Sequence, residues 1–252
     1  MIKFFRKIRQ KLLVENRFNK YLLYAIGEIV LVVIGILIAL QINNWNDQNK
    51  ETKELHQYLS KIRGNIHQDI LILDSIKKRR WKVQKICAKA TQDFLSDQYK
   101  LQTFLSTLES FVEYYFVPNQ SGYDALKSSS YLGKINGTKI DSLLDNYNII
   151  IHQIVKEEEG FNTLIENMEY RFVGNNDLSV LMQVYFYGID NAKKNPKYAQ
   201  IIEKRMRELN SNNAYRAIVT RTASQTAMLR MYDQIIKEGN LVIAEINKIT
   251  ND

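Results

Sequence analysis

The sequence predicts an all-α protein: one N-terminal transmembrane helix followed by an extended helical bundle. Three observations carry this. Only 2 prolines and 10 glycines occur in 252 residues, too few for the frequent turns of a β-sandwich or barrel. Residues 21–42, YLLYAIGEIVLVVIGILIALQI, form one apolar run with a single formal charge, Glu28. Beyond that run, apolar residues recur at steps of three and four. The expected organisation is a cytoplasmic basic amphipathic segment (1–20), a transmembrane helix (21–42) and a periplasmic helical bundle domain (43–252).

The 22-residue run gives a helix of about 33 Å, enough for a hydrocarbon core of about 30 Å. Ile29 to Leu40 carries no polar side chain on any face, unlike a soluble amphipathic helix. The run is longer than the apolar core of a secretion signal. Its exit, Leu40-Gln41-Ile42-Asn43, has no small-x-small cleavage pattern, so an uncleaved signal anchor is expected. Seven cations precede the run: Lys3, Arg6, Lys7, Arg9, Lys11, Arg17 and Lys20. Residues 43–62 carry three, interspersed with Asp47, Glu51 and Glu54. The positive-inside rule then places the N-terminus in the cytoplasm and the domain in the periplasm, with the anchor in the inner membrane. Tyr21 or Tyr24 and Trp45 stand where interfacial aromatics mark the two ends.

Ile2, Phe5, Ile8 and Leu12 recur at three and four with cations between them, the pattern of a helix lying on anionic lipid through Lys3, Arg6, Lys7, Arg9 and Lys11. Of the net charge of +8, residues 1–20 hold +6, Glu28 subtracts one and residues 43–252 hold +3. The excess therefore points to a lipid surface, and no nucleic acid partner is expected. Within the span, Glu28 is either a carboxyl reaching the inner headgroups or a contact for a partner helix or an oligomer core. Gly35 and Ala39 form a small-xxx-small pair that permits close helix approach.

Leu55, Leu59, Ile62, Ile66, Ile70, Leu73, Ile76, Val83, Cys87, Ala90 and Phe94 predict one long amphipathic helix. Leu101 to Tyr115 reads as a second, stopped by Pro118. Ser121 is placed to cap a short helix through Leu126. Residues 128–137 read as loop, with Asn136-Gly137 a turn signal. Ile140 to Met168 predicts another long helix, broken at Gly174 to Asp177. Leu178 to Ile189 fits a short helix or a strand. Pro196 opens a helix to about Leu209, and a last one runs from Ala214 to Ile249.

Chemistry is sparsely signalled. A single cysteine excludes a disulfide framework and a multi-cysteine zinc site. His56 and His67 lie eleven residues apart, about 16 Å along a helix and too far for one metal, and His152 stands alone. Cys87 falls in the apolar stripe and reads as core. No nucleophile elbow, phosphate loop or zincin motif occurs, so neither catalysis nor a cofactor is implied. An envelope enzyme would need Asp124 and Lys127 brought beside His152. Lys77-Lys78-Arg79-Arg80 with Trp81, Lys82, Lys85 and Lys89 reads as a solvated face, with an anionic ligand or a partner protein as the alternative. Glu157, Glu158 and Glu159 read as a solvated acidic turn. Tyr114-Tyr115-Phe116 and Tyr185-Phe186-Tyr187 read as bundle filling, or as the lining of a pocket.

MIKFFRKIRQKLL and the following Tyr21–Asp47 stretch resemble the start of an uncharacterised family of single-span membrane proteins of Bacteroidota, the domain-of-unknown-function family 6090. Tyr123-Asp124-Ala125-Leu126-Lys127-Ser128-Ser129 resembles a second family motif, usually followed by glycine where Ser130 stands here. The family carries no established activity, so the resemblance implies location rather than reaction. The expectation is a scaffold or interaction protein of the cell envelope, bound to a protein partner or to itself. The alternative is a periplasmic small-ligand sensor that signals through a partner.

Overall fold

The structure, a computed structural model, describes residues 18–96, 100–190 and 194–251; the basic residues Lys3, Arg6, Lys7, Arg9 and Lys11 lie outside the described residues. Among the described residues every regular element is a helix, as predicted. The helices are α1 (Phe18–Leu95), α2 (Leu101–Thr107) with a 3-10 turn (Leu108–Phe111), α3 (Ser121–Lys127), α4 (Leu132–Ile135), α5 (Lys139–Gly174), α6 (Ser179–Tyr187), α7 (Pro196–Asn210), α8 (Asn213–Ala223) and α9 (Thr226–Asn251). The chain divides into two compact units, residues 1–57 and 58–252.

In the first unit, α1 is long and apolar enough near its N-terminus to cross a membrane. Leu23, Ile29 and Leu31 are exposed, so among the described residues no protein surface covers these side chains. A helix pairs its own backbone groups, which is what a bilayer core demands. Glu28 is half-buried, Ala39 is exposed, and a methyl group at Gly35 would meet nothing within 4 Å.

In the second unit, α1 buries Leu59, Ile62, Ile66, Asp69, Leu73, Ile76, Arg80, Val83, Cys87, Ala90 and Phe94. The steps alternate strictly between three and four, a seven-residue repeat that keeps one stripe facing inward. That stripe passes through Asp69, where the sequence reading takes Ile70, and through Arg80. Helix α9 runs antiparallel to α1. Arg63 donates to Asn247 at 2.7 Å, Lys77 pairs with Asp233, and Gln84 donates to Thr226 at 2.8 Å. The steps from Arg63 to Lys77 to Gln84 are fourteen and seven residues, matched in reverse from Asn247 to Thr226. Helix α5 runs parallel to α1, because Tyr147 meets Asp69 and Glu158 meets Arg80, both 78 residues further along. Gly239 of α9 lies where the three helices close in, with a methyl there reaching Ile66, Tyr147 and Ile70 at 3.0–3.2 Å.

A second core forms around Tyr215 of α8. Phe94, Phe104, Phe111 and Phe172 surround its ring with centroids 5.5–6.3 Å away, and its hydroxyl meets the Thr107 hydroxyl at 2.6 Å. Leu181 and Val184 of α6 and Met206 and Leu209 of α7 join this cluster.

Several boundaries differ from the sequence reading. The helix that begins at Leu101 ends at Phe111, and residues 112–120 have no regular secondary structure. Of Leu178 to Ile189, Ser179–Tyr187 is helix, and just ahead of it the Asp177 carboxylate accepts the Ser179 N–H at 3.0 Å. The last predicted helix is two, parted at Ser224-Gln225. Ser121 is the first residue of α3 rather than its cap, and its N–H and hydroxyl both reach Asn119 Oδ1. One helical turn, α4, sits inside the predicted loop. Gly137 takes φ +72°, as the Asn-Gly turn signal requires.

Candidate functional site

The polar side chains that matter lie inside the bundle. Arg80 and Glu158 are 2% and 1% exposed, with Arg80 Nη2 4.0 Å from Glu158 Oε1. Arg80 Nη2 donates to the Tyr114 carbonyl at 2.7 Å and Nη1 to Gln225 Oε1 at 3.3 Å. Its guanidinium lies over Phe161 and Tyr114, 5.1 and 5.6 Å from their ring centres. Glu158 accepts the Phe116 N–H at 2.7 Å on one oxygen and the Tyr232 hydroxyl on the other. Gln225 returns a bond from Nε2 to the Arg80 carbonyl at 3.1 Å. Burial pushes the Glu158 carboxyl above the ordinary carboxylate range, and the Phe116 N–H, the Tyr232 hydroxyl and Arg80 oppose that push.

This pair explains two of the altered boundaries. The non-helical backbone of residues 112–119 offers its Tyr114 carbonyl and Phe116 N–H inward, where a helix would have used them itself. Asn162 Nδ2 adds a second donor to the Tyr114 carbonyl at 3.0 Å. Likewise the α8–α9 break turns buried Gln225 onto Arg80, while Gln84 donates to the Ala223 carbonyl at 3.3 Å.

A second polar layer lies eleven residues earlier on α1. Asp69 accepts the Asn119 N–H at 3.0 Å and the Tyr147 hydroxyl at 3.4 Å. Its carboxyl is also raised by burial, with those two bonds opposing. Asn65 accepts the Gly122 N–H at 2.9 Å, and a methyl on Gly122 would stand 2.9 Å from the Ile62 backbone nitrogen. Helix α3 therefore rests backbone to backbone on α1 through Gly122, one residue ahead of the Tyr123–Ser129 motif. Within that motif Leu126 is fully buried, and Tyr123 reaches Asp145 at 3.3 Å. Asp124 pairs with Lys127 at 3.0 Å, and the Lys127 ammonium lies 4.7 Å from the Tyr123 ring centre. Ser128 N–H closes the helix on the Asp124 carbonyl, and Ser129 Oγ donates to the Leu126 carbonyl at 2.7 Å. The motif builds a short capped helix over the Asp69 layer.

A model of a family of unknown function (DUF6090) matches residues 28–180. The chain belongs to that family. The matched range runs from Glu28 into α6 and contains both buried carboxylates, Arg80, the irregular segment 112–119 and the Tyr123–Ser129 motif; Gln225 and Tyr232 lie beyond it. No curated protein and no solved structure matches the chain.

Other sequence-level candidates fall elsewhere. Cys87 is fully buried, and burial pushes its thiol up to about 12. His67 and His152 are exposed, and His56 is half-buried. Among the described residues, no group of three or more His, Cys, Asp or Glu side chains could hold a metal ion. Phe116 fills the bundle, but Tyr185, Phe186 and Tyr187 are exposed rather than core, because α6 buries only Leu181 and Val184. Arg80 and Glu158 are the largest departures, each read as solvated and each found in the core. The signal that would have found Arg80 is the strict alternation of three and four, which passes through it between Ile76 and Val83.

Proposed function

We propose that the chain is a non-catalytic, membrane-anchored interaction protein of the cell envelope. In this reading residues 21–42 span the inner membrane, residues 1–20 lie on its anionic cytoplasmic leaflet, and residues 43–252 stand in the periplasm. One contrast supports it above the others. The ionisable groups inside the bundle, Asp69, Arg80 and Glu158, are engaged by the chain's own backbone and by one another, whereas Tyr170 and Phe186 remain 84% and 70% exposed. Charges held this way fix a shape, and large aromatic side chains left outside are what partners cover. The seven-residue repeat of α1 and its evenly stepped pairs with α9 favour a coiled-coil description of that helix pair. Ligand sensing is the second reading: the cleft beside Asp69 and Tyr147 offers about 20 Å³, room for a water, whereas open surface hollows of about 500 Å³ beside Lys89 and Thr103 and about 620 Å³ beside Glu169 and Tyr170 are larger.

Single-cysteine variants at Gln10, Gln48 and Tyr170, in a Cys87→Ala background, test the anchor in intact cells with a membrane-impermeant maleimide. Gln48→Cys and Tyr170→Cys should label directly, and Gln10→Cys only after permeabilisation. The reverse pattern overturns the orientation, and a chain recovered in the soluble fraction overturns the anchor. A photo-crosslinking residue at Phe186 tests the interaction role. Discrete adducts support it, and purely intramolecular products remove it.

A further inference from the structure

From Ser75 to Gln92, α1 carries seven cations and no acid. Arg80 turns inward, Lys77 pairs with Asp233 and Lys78 with Asp74. Lys82, Lys85 and Lys89 stay exposed, the nearest acids along the helix being Asp74 and Asp93. Lys85 rides on the half-exposed Trp81 ring, its Nζ 3.6 Å from the centre. This face is basic and aromatic together.

Helix α5 presents the converse. Residues 157–170 carry five glutamates and no cation. Glu158 turns inward and Glu157 pairs with Arg221 at 3.5 Å. Glu166 is exposed and Glu169 half-buried, beside Glu113 of the irregular segment. Burial and the charges of Glu113 and Glu166 together hold the Glu169 carboxyl above its ordinary range. Tyr115 is half-exposed and donates to Glu166 at 3.1 Å, and Tyr170 is almost wholly exposed.

The two faces match in height. With α1 and α5 parallel and 78 residues out of step, Glu166 stands level with position 88 of α1, between Lys85 and Lys89. Copies aligned side by side therefore bring cations and carboxylates to one level.

We propose that the basic face of α1, formed by Trp81, Lys82, Lys85 and Lys89, docks on the acidic aromatic face of a second copy of this chain, formed by Glu113, Tyr115, Glu166, Glu169 and Tyr170. The inference rests on the anchored reading, which holds every copy the same way up. The contact is heterologous, since each copy offers both faces. Exposed ion pairs are individually weak and screened by salt, so the aromatic side chains supply the dry centre of the contact. Confinement to one bilayer raises the effective concentration of the second face.

The test uses the full chain in native membranes. Two differently tagged copies are co-expressed in a Cys87→Ala background, one carrying Ala88→Cys and the other Asn167→Cys; both sites are exposed and neutral. Oxidation should give the mixed dimer several-fold above either homodimer, less at high salt. Lys82→Glu with Lys89→Glu on the first copy should abolish it, and Glu113→Lys with Glu169→Lys on the second should restore it. Restoration also shows that the reversed copies still fold. Equal yields in every combination, indifference to charge reversal, or crosslinking of Asn167→Cys only to another protein overturns the pairing and leaves the anchor standing. Absence of the chain from the membrane fraction overturns both.

Discussion

The Phe116 backbone N–H donates to Glu158 at 2.7 Å, across 42 residues of chain. Two positions earlier the Tyr114 carbonyl accepts from Arg80 at the same distance. A buried ion pair and a non-helical backbone thus complete each other. Each would be expensive alone: the charges because a low-dielectric interior opposes them, the backbone because it has left its helix.

Removing one charge leaves the other stranded. Arg80→Met should destabilise the second unit by about 3–5 kcal/mol in urea unfolding followed by circular dichroism. Adding Glu158→Gln should recover more than half of that loss, because a neutral amide oxygen still accepts from Phe116 or Tyr232. A double variant as unstable as the single one would show that packing, and not charge, sets the penalty.

The pH dependence has a defined sign. Unfolded aspartate and glutamate titrate near about 3.9 and 4.3. Asp69 and Glu158 are held higher in the folded chain, so the folded state binds their protons more tightly. Their contribution to stability is full below about pH 4 and is lost as pH rises through the raised values. Half-buried Glu245, lowered chiefly by its bond from Lys139, acts in the opposite direction. The urea midpoint of the wild type, compared with Asp69→Asn/Glu158→Gln, should fall more steeply from pH 4 upward. A steeper rise instead would reverse the assignment.

Gly122→Ala should destabilise by about 1–3 kcal/mol, since its methyl would stand 2.7 Å from Asn65 Oδ1 and 2.9 Å from the Ile62 nitrogen. Gly64→Ala, with nothing within 4 Å on the same helix α1, should stabilise by about 0.5–1 kcal/mol. Thermal melts of the two variants check the contrast, and equal shifts would refute it.

Cys87 should resist alkylation at neutral pH, because the thiol is fully buried and raised to about 12. Labelling should follow the unfolding transition in urea. Rapid labelling of the folded chain would place the thiol at the surface.

Helix type was legible wherever the apolar step was regular, in the stripe from Leu59 to Phe94 and from Ile140 to Met168. The exposure of Leu23 to Leu31 follows from a run with no polar face. Arg80 and Glu158 escaped because each sits in a run of like charge, Lys77 to Arg80 and Glu157 to Glu159. In such runs composition announces solvent and one member can still turn inward. Their partners lie 78 residues apart, a separation over which neither local propensity nor motif spacing speaks. The end of the second helix at Phe111, seven residues before Pro118, is the visible result of that hidden pair. Tyr185 to Tyr187 failed in the other direction, because α6 is too short to bury both of its faces.

The irregular segment at residues 112–119 is held by side chains from two distant helices, Arg80 and Asp69 on one and Glu158 and Asn162 on the other. None of those anchors exists until the two helices have met in register. The segment must therefore lock late in assembly and loosen early in disassembly. Cleavage beside its exposed Tyr115 and Val117 would then serve as a clock for whether the long helices are correctly paired.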